Sequence, residues 1–275
     1  MRSGGPFRLQ GTNSKDFLRE GATPAHVLDL TGLPAEVEVA AADQYVTVSS
    51  SVNVQELQEH LRPHGLALPL PDPVEVGDLL AGIPRTVGGL VATNLPHALE
   101  GRTLTSRDWV LGLEVMRADG TTAKGGGRTV KNVAGYDVAK LFVGSRGTLG
   151  IVLSVTFRLF PLGAMPKVTG AFVKSWSGEP VWIQRTLRTD FEQALKRARD
   201  LFSYDEGTST LWAAQVDRFE DDWVQGPRYW RCRNRAQAKL AERAKAIFDP
   251  EDKFNPGEVR ASLRAEGATR VEGAR

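Results

Sequence analysis

The sequence predicts an α+β fold, with one large domain followed by a second, smaller α+β domain. Segments in which apolar and polar residues alternate predict β-strands, most clearly at Val110–Met116. A helix with a capping side chain at Asn53 lies between such segments. Pro161, Gly163 and Pro166 then interrupt the pattern and mark a boundary between the domains. A chain of 275 residues is long enough to give each domain its own core.

The first half of the large domain predicts a sheet with one helix packed on it. Val37 and Val39, and then Tyr45 to Val48, alternate as β-strands do. Asn53, with Glu56 at the capping-box position, begins the helix. Its apolar face is Val54, Leu57 and Leu61, and Pro63 and Gly65 stop it.

The second half of the large domain predicts a β-hairpin and a long strand. Val110–Met116 is followed by a turn at Asp119-Gly120, and the chain returns from Thr121 to Lys124. The last strand of the domain carries one predicted apolar face, made of Ile151, Leu153, Val155, Phe157 and Leu159.

The smaller domain predicts two strands and two helices. Strands are expected at Val168 to Lys174 and at Leu211 to Val216. Thr189 and Glu192 predict the start of a helix whose apolar stripe is Phe191, Leu195, Ala198 and Phe202. A final helix carries Ala236, Leu240, Ala244 and Ile247 before Asp249-Pro250 ends it. The predicted divisions are residues 1–161, residues 162–247, a C-terminal segment at 248–263 and a flexible tail at 264–275.

Composition and charge exclude several classes of function. A net charge of +2 gives no reason to expect nucleic acid as a partner. The single Cys232 excludes an internal disulfide, and it excludes an iron-sulfur cluster within this chain because a cluster needs about four thiolates. No metal site is predicted. No apolar run approaches the roughly 18 residues of a membrane span, and the N-terminus has no hydrophobic signal core, so we expect a cytoplasmic protein.

Four segments have the residue types of loops that approach a flat, polar ligand. Gln10-Gly11-Thr12-Asn13-Ser14-Lys15 can point consecutive N–H groups into one concavity that binds anionic oxygens. The second segment contains glycines and prolines that let the backbone come close to a ligand. Its sequence is Leu68-Pro69-Leu70-Pro71-Asp72-Pro73 with Thr86-Val87-Gly88-Gly89-Leu90-Val91-Ala92-Thr93-Asn94. The third is Lys131-Asn132-Val133-Ala134-Gly135-Tyr136-Asp137 with Gly144-Ser145-Arg146-Gly147-Thr148-Leu149-Gly150-Ile151, and the fourth runs from Phe248 to Gly257. Taken singly, each could be an ordinary turn.

Taken together, the segments resemble the flavin-contacting loops of the vanillyl-alcohol-oxidase superfamily, and the third is similar to the FAD-binding subunit of bacterial glycolate oxidase. The resemblance implies a PCMH-type FAD-binding domain of two α+β subdomains over residues 1–161, to which segment 248–263 returns. It implies noncovalent FAD, since the first loop has no histidine or cysteine for a covalent link. The cofactor-binding residues that it implies are Gln10, Gly11, Thr12, Asn13, Ser14, Lys15, Pro69, Thr86, Val87, Gly88, Gly89, Ala92, Thr93, Asn94, Gly135, Asp137, Gly147, Thr148, Gly150 and Ile151.

The same resemblance implies a role in the oxidation of small 2-hydroxy acids. The chain would be the FAD-binding subunit of a glycolate oxidase complex, beside a catalytic flavoprotein subunit and an iron-sulfur subunit. It would be cytoplasmic, or peripheral to the inner membrane through its complex. The chain differs from the family in a shorter stretch before the first loop, in Leu95-Pro96-His97 beside the expected flavin position, and in a shorter second domain.

Oxidation of a 2-hydroxy acid requires a base for the hydroxyl proton and a cation for the carboxylate. His97 is the candidate base, because the region between Pro161 and Phe248 contains no histidine. Arg85, Arg102, Arg107 or Arg128 could supply the cation. Two alternatives to the complex subunit stay open. One is a self-sufficient FAD-linked dehydrogenase that uses His97 or Tyr136 as base, and the other is a scaffold subunit that has lost flavin.

Overall fold

The structure of the protein is a computed structural model that describes residues 5–13, 26–70, 85–94, 97–99, 102–128, 138–165, 171–172, 182–206, 209–216, 223–225 and 235–256. The strands are β1 Phe7–Gln10, β2 His26–Asp29, β3 Val37–Ala40, β4 Tyr45–Ser49, β5 Leu66–Ala67, β6 His97–Leu99, β7 Arg102–Leu104, β8 Val110–Met116, β9 Thr122–Gly126, β10 Ile151–Arg158, β11 Phe160–Pro161, β12 Ala171–Phe172, β13 Trp182–Arg185, β14 Arg199–Asp205, β15 Thr210–Gln215 and β16 Trp223–Gln225. The helices are α1 Val54–Leu61, α2 Val87–Thr93, α3 Ser106–Trp109, α4 Ala139–Phe142, α5 Phe191–Arg197 and α6 Arg235–Phe248.

An antiparallel sheet of five strands, in the order β3-β4-β10-β8-β9, forms the centre of the large domain. The predicted hairpin is confirmed, since β8 and β9 pair around the Asp119-Gly120 turn. The main core cluster joins this sheet to α1 and α2, for example through Val46, Leu57 and Val91. The described residues also form three short pairs, a parallel one of β1 with β2 and antiparallel ones of β5 with β11 and of β6 with β7.

Helix α1 begins and ends where the sequence predicts. The Asn53 side chain accepts a hydrogen bond from the Gln55 amide at 2.8 Å, which satisfies one of the free N–H groups of the first turn. A short 3-10 turn follows α1, and Gly65, with φ of +69°, ends it in the left-handed region that favours glycine. Residues close in the sequence are therefore sufficient to predict where this helix begins and ends.

Strand β10 differs from the prediction of a single apolar face. Its pairing with β8 shifts between Val152 and Ser154, and a β-bulge of this kind exchanges the two faces of a strand. Ile151 and Leu153 therefore pack in a second core cluster, whereas Val155 packs in the main core. The bulge lets one strand serve both clusters.

The residues of the predicted smaller domain form a second antiparallel sheet, in the order β12-β14-β15-β13-β16. The predicted helix is present as α5, with Phe191 and Ala194 buried, but the predicted cap by Thr189 is wrong, because Asp190 is the N-cap and no side chain caps the first turn. Its predicted extension to Phe202 is wrong, because the chain turns extended at Ala198 and Phe202 lies in β14. The pairing of β14 with β15 overrides the helical spacing of the apolar residues.

The two strands predicted for the smaller domain lie where the sequence predicts, as far as their residues are described. The strand predicted at Leu211 to Val216 is confirmed as β15. Of the strand predicted at Val168 to Lys174, the described residues are Ala171 and Phe172, which form β12.

Helix α6 contacts the main core through only part of its predicted apolar set. Leu240 and Ile247 are exposed, at 59% and 63% of their surface. Ala244 and Phe248 pack against the main core, and the Lys245 side chain between them is buried. Among the described residues, no helix combines the length and the apolar character needed to cross a membrane.

Candidate functional site

A cavity of about 120 Å³ lies where four parts of the large domain meet. They are the end of β1 with the loop after it, the turn after β4, helix α2, and the loop that leads into β10. Asn255 of the C-terminal segment also contributes to the wall. The described residues that line the cavity are Leu9, Gly11, Thr12, Asn13, Leu30, Ser50, Ser51, Thr86, Gly88, Gly89, Ala92, Thr93, Arg146, Gly147, Gly150, Val152 and Asn255.

The first turn of α2 forms one wall and lies directly against the turn after β4. Thr86 is the N-cap of α2, and its hydroxyl accepts a hydrogen bond from the Gly89 amide at 3.1 Å. The Gly88 amide donates to the Ser50 carbonyl at 2.8 Å. A Cβ atom on Gly88 would lie 3.0 Å from the Ser50 Cβ, closer than neighbouring carbons normally approach. Glycine at 88 therefore lets two backbone segments form one wall.

The loop before β10 forms the opposite wall and is held to α2 by backbone hydrogen bonds. The Arg146 amide donates to the Ala92 carbonyl at 2.8 Å. Arg146 has a φ of +52°, a left-handed conformation that costs a non-glycine residue roughly 1 to 2 kcal/mol. Gly147 follows with a φ of +71°, and a Cβ atom there would lie 2.9 Å from the side-chain nitrogen Nδ2 of Asn255. The Asn255 side chain by itself requires glycine at this position, and the predicted contact of Gly147 with the cofactor stays a prediction.

Asn255 joins the first loop to the third. Its Oδ1 accepts a hydrogen bond from the Leu9 amide at 2.9 Å, and its Nδ2 donates to the Arg146 carbonyl at 2.7 Å. The Asn255 amide also donates to the Phe7 carbonyl at 2.9 Å. A single side chain therefore sets the spacing of two walls of the cavity.

A buried lysine fixes the C-terminal segment to the same loop. The Lys245 ammonium lies 2.6 Å from the Asp249 carboxylate, and it donates to the Thr148 carbonyl at 2.8 Å and the Phe254 carbonyl at 2.9 Å. Asp249 is 1% exposed and also accepts hydrogen bonds from the Lys253 and Phe254 amides. Each charge is thus paired and hydrogen-bonded, which is the condition under which charged groups are buried.

The cavity brings together a large part of the predicted cofactor-binding set, namely Gly11, Thr12, Asn13, Thr86, Gly88, Gly89, Ala92, Thr93, Gly147 and Gly150. Six other predicted residues are described but lie outside the lining set: Gln10, Pro69, Val87, Asn94, Thr148 and Ile151. Ser14, Lys15, Gly135 and Asp137 lie outside the described residues.

The six predicted residues outside the lining set have structural contacts of their own. The Gln10 carbonyl accepts from the Leu30 amide, and the Asn94 side chain accepts from Ser106 and Arg107. The Thr148 hydroxyl donates to the Ser145 carbonyl at 2.7 Å, while Pro69, Val87 and Ile151 are buried.

His97 begins β6 and pairs with Leu104 of β7. Its side chain lies outside what the structure describes, so its catalytic role stays a prediction. Of the arginines predicted to hold a carboxylate, Arg107 donates to the Lys140 carbonyl at 2.6 Å, and Arg128 lies 5.7 Å from the centre of the Tyr45 ring.

Sequence reasoning missed part of the wall. The missed residues are Leu9, Leu30, Ser50, Ser51, Arg146, Val152 and Asn255. Arg146 and Asn255 stand inside the third and fourth segments, so their neighbours were a usable signal. Ser50 and Ser51 follow β4 without any recognisable motif, and only the fold brings them to the cavity.

The chemistry of the wall suits a flat, polar, anionic ligand. Small residues leave the backbone accessible along two sides, and Arg146 adds a positive charge. The residues are a poor set for a metal ion, since the described part of the chain holds no group of three or more His, Cys, Asp or Glu residues that could bind one. These features fit FAD, which has a flat ring system and a charged pyrophosphate.

Comparison with known proteins also indicates FAD binding for the N-terminal half of the chain. Residues 2–126 match the family described as FAD binding domain. The chain is 35% identical over 146 residues to a D-lactate dehydrogenase of Archaeoglobus fulgidus, covering 52% of this chain and 31% of that protein. It is 31% identical over 156 residues to glycolate oxidase subunit GlcE of Escherichia coli K12, covering 57% and 43% respectively. It is 35% identical over 125 residues to glycolate oxidase subunit GlcD of Bacillus subtilis, covering 46% and 25%.

The chain therefore spans less than half the length of each of these relatives. The matched residues contain the first loop and the Gly88-Gly89 turn, which line the cavity. The predicted α+β fold with an FAD-binding domain is confirmed: residues 2–126 form a PCMH-type FAD-binding domain, and FAD is the cofactor of this chain.

Proposed function

We propose that this chain is the FAD-binding subunit of a 2-hydroxy acid oxidoreductase complex of the glycolate oxidase type. It would act beside a catalytic flavoprotein subunit and an iron-sulfur subunit. The observation that carries the proposal is the cavity in which Gly11, Gly88, Gly89 and Gly147 meet, within a chain similar to two glycolate oxidase subunits.

The residues around the cavity would bind and orient the cofactor. Gly11, Thr12 and Asn13, together with the undescribed Ser14 and Lys15, would hold the pyrophosphate. Thr86, Gly88 and Gly89 would present backbone groups to it, as would the loop at 147–150 to the adenine or flavin edge. When bound, FAD supplies the two-electron chemistry of the reaction.

Two features of the sequence support the proposal of partner subunits. Residues 162–247 contain no histidine that could serve as a base, and one cysteine cannot ligate an iron-sulfur cluster. In this proposal the partner subunits supply the base and the cluster. The match of residues 2–126 to an FAD-binding domain argues against the third alternative, a scaffold subunit that has lost flavin.

The test uses the purified full chain, loaded with FAD and mixed anaerobically with millimolar glycolate or D-lactate. We expect the bound flavin to stay oxidised. A colourless protein that shows no thermal shift with excess FAD would contradict the FAD site. Bleaching of the flavin at a catalytically useful rate would contradict the accessory role.

A self-sufficient dehydrogenase is the second candidate, favoured by the similarity to D-lactate dehydrogenase of Archaeoglobus fulgidus. It predicts rapid bleaching by one of the two substrates and loss of that bleaching in His97→Ala. Tyr136→Phe tests the other proposed base in the same assay.

A further inference from the structure

Arg146 is the one charged residue among the described residues that line the FAD cavity. It is 9% exposed, so its guanidinium has lost most of its contact with water. Screening by water is weak at such a site, and a cation there attracts an anionic ligand more strongly than an exposed cation does. FAD brings a doubly charged pyrophosphate to the same cavity. The two charges therefore have a physical reason to meet.

The backbone of Arg146 is fixed on both sides. Its amide donates to the Ala92 carbonyl at 2.8 Å, and its carbonyl accepts from Asn255 Nδ2 at 2.7 Å. These bonds hold the residue at a φ of +52°, which an arginine would not adopt without support. The backbone that carries the side chain is therefore already in place before a ligand binds, and ordering it costs little at that step.

Arginine is also the side chain best suited to phosphate oxygens. Its planar guanidinium can donate two parallel hydrogen bonds to one phosphate group, which a lysine ammonium cannot do. The loop of Gly11, Thr12 and Asn13 lines the same cavity and offers backbone donors to the same anion. One cationic side chain and one loop of neutral donors are both groups that favour a phosphate ligand.

We propose that the guanidinium of Arg146 pairs with the pyrophosphate of FAD and sets the affinity of the chain for the cofactor. The inference rests on the FAD site of the proposed function and adds the side chain that compensates the charge of the cofactor. It is independent of which substrate is oxidised and of which partner subunits are present.

The experiment measures the dissociation constant of FAD by titrating the apoprotein of the full chain and following the quenching of flavin fluorescence. The variants are Arg146→Lys, Arg146→Gln and Arg146→Glu. Glutamine and glutamate have nearly the same size, so the difference between them reports charge. Arg243→Ala is the control, since Arg243 is an exposed residue of α6. Thermal unfolding of each apoprotein checks its folding.

We expect Arg146→Gln to raise the dissociation constant roughly 10- to 100-fold, because a hydrogen-bonded charge is lost. Arg146→Glu should raise it further, while Arg146→Lys should bind more tightly than the glutamine variant and Arg243→Ala should match the wild type. A structural role alone would weaken the glutamine and glutamate variants equally, and that result would overturn the proposal. So would unchanged affinity in Arg146→Gln.

Two further outcomes are informative. A wild-type chain that binds no FAD overturns this inference and the proposed function together, whereas the results above overturn the inference alone. If the glutamine and glutamate variants do not fold, competition by millimolar inorganic pyrophosphate against FAD decides the question in the wild type and Arg146→Lys. Weaker competition in Arg146→Lys supports the pairing, and equal competition in both proteins overturns it.

Discussion

Replacing Lys245 with methionine should destabilise the protein by about 3 kcal/mol. The ammonium of Lys245 contacts the Asp249 carboxylate at 2.6 Å and two carbonyl groups, those of Thr148 and Phe254. Methionine fills a similar volume but donates no hydrogen bond. The substitution therefore leaves a buried carboxylate without its cation.

The magnitude follows from what remains around Asp249. Removing one partner of a buried ion pair costs about 3 to 5 kcal/mol. Asp249 keeps hydrogen bonds from the Lys253 amide at 2.9 Å and the Phe254 amide at 2.8 Å, which places the expected cost at the lower end. Combining Lys245→Met with Asp249→Asn removes the buried uncompensated charge, and Asp252, which lies 3.0 Å from the Lys245 ammonium, is part-exposed and keeps contact with water. The double variant should therefore lose less stability than the sum of the single variants.

The assay is urea unfolding of the full chain followed by far-UV circular dichroism. Lys239→Met is the matched control, since Lys239 is exposed on the same helix, and it should lie within about 0.5 kcal/mol of the wild type. A Lys245→Met protein less than about 1 kcal/mol below the wild type would refute the reasoning, because it would show that the buried pair contributes little.

Gly147→Val should weaken FAD binding and cost about 1 to 3 kcal/mol, because the residue has a φ of +71° and a Cβ atom would lie 2.9 Å from Asn255. Gly163→Val is the control, since no atom lies within 4 Å of its Cβ position. Asn255→Ala should cost about 2 to 3 kcal/mol in urea unfolding, because it leaves two buried backbone groups without partners. Hydrogen bonds from the Thr121 hydroxyl and amide hold the pKa of Asp119 below its ordinary value. The resulting stabilisation is present above the unfolded pKa and is lost as pH falls through the folded one, and Thr121→Val should raise the Asp119 pKa measured by NMR.

Local signals predicted the elements whose stabilising contacts are close in sequence. Asn53 caps α1 through Gln55, and the Asp119-Gly120 turn sits between two strands that pair with each other. The prediction failed at β14, where pairing with β15 decides the conformation of Phe202. It also failed at the bulge of β10, whose position depends on β8.

The candidate site likewise contains residues that local sequence signals predicted and residues that only the fold brings there. Glycines in the first three loops were recognisable because a backbone that approaches a ligand or another segment needs them. Ser50 has no such signature, and it reaches the cavity only because α2 packs on the turn after β4. Lys245 is the clearest case, since a lysine on a helix predicts a solvent-exposed position and this one is buried against Asp249.

The hydrogen bond from Leu9 to Asn255 spans 246 positions of the chain. During translation, the first loop leaves the ribosome long before the residue that holds it in place has been synthesised. The cavity can therefore reach its final form only after Asn255 has emerged, however early the central sheet folds. A chain interrupted before Asn255 would present the first loop without the side chain that anchors it.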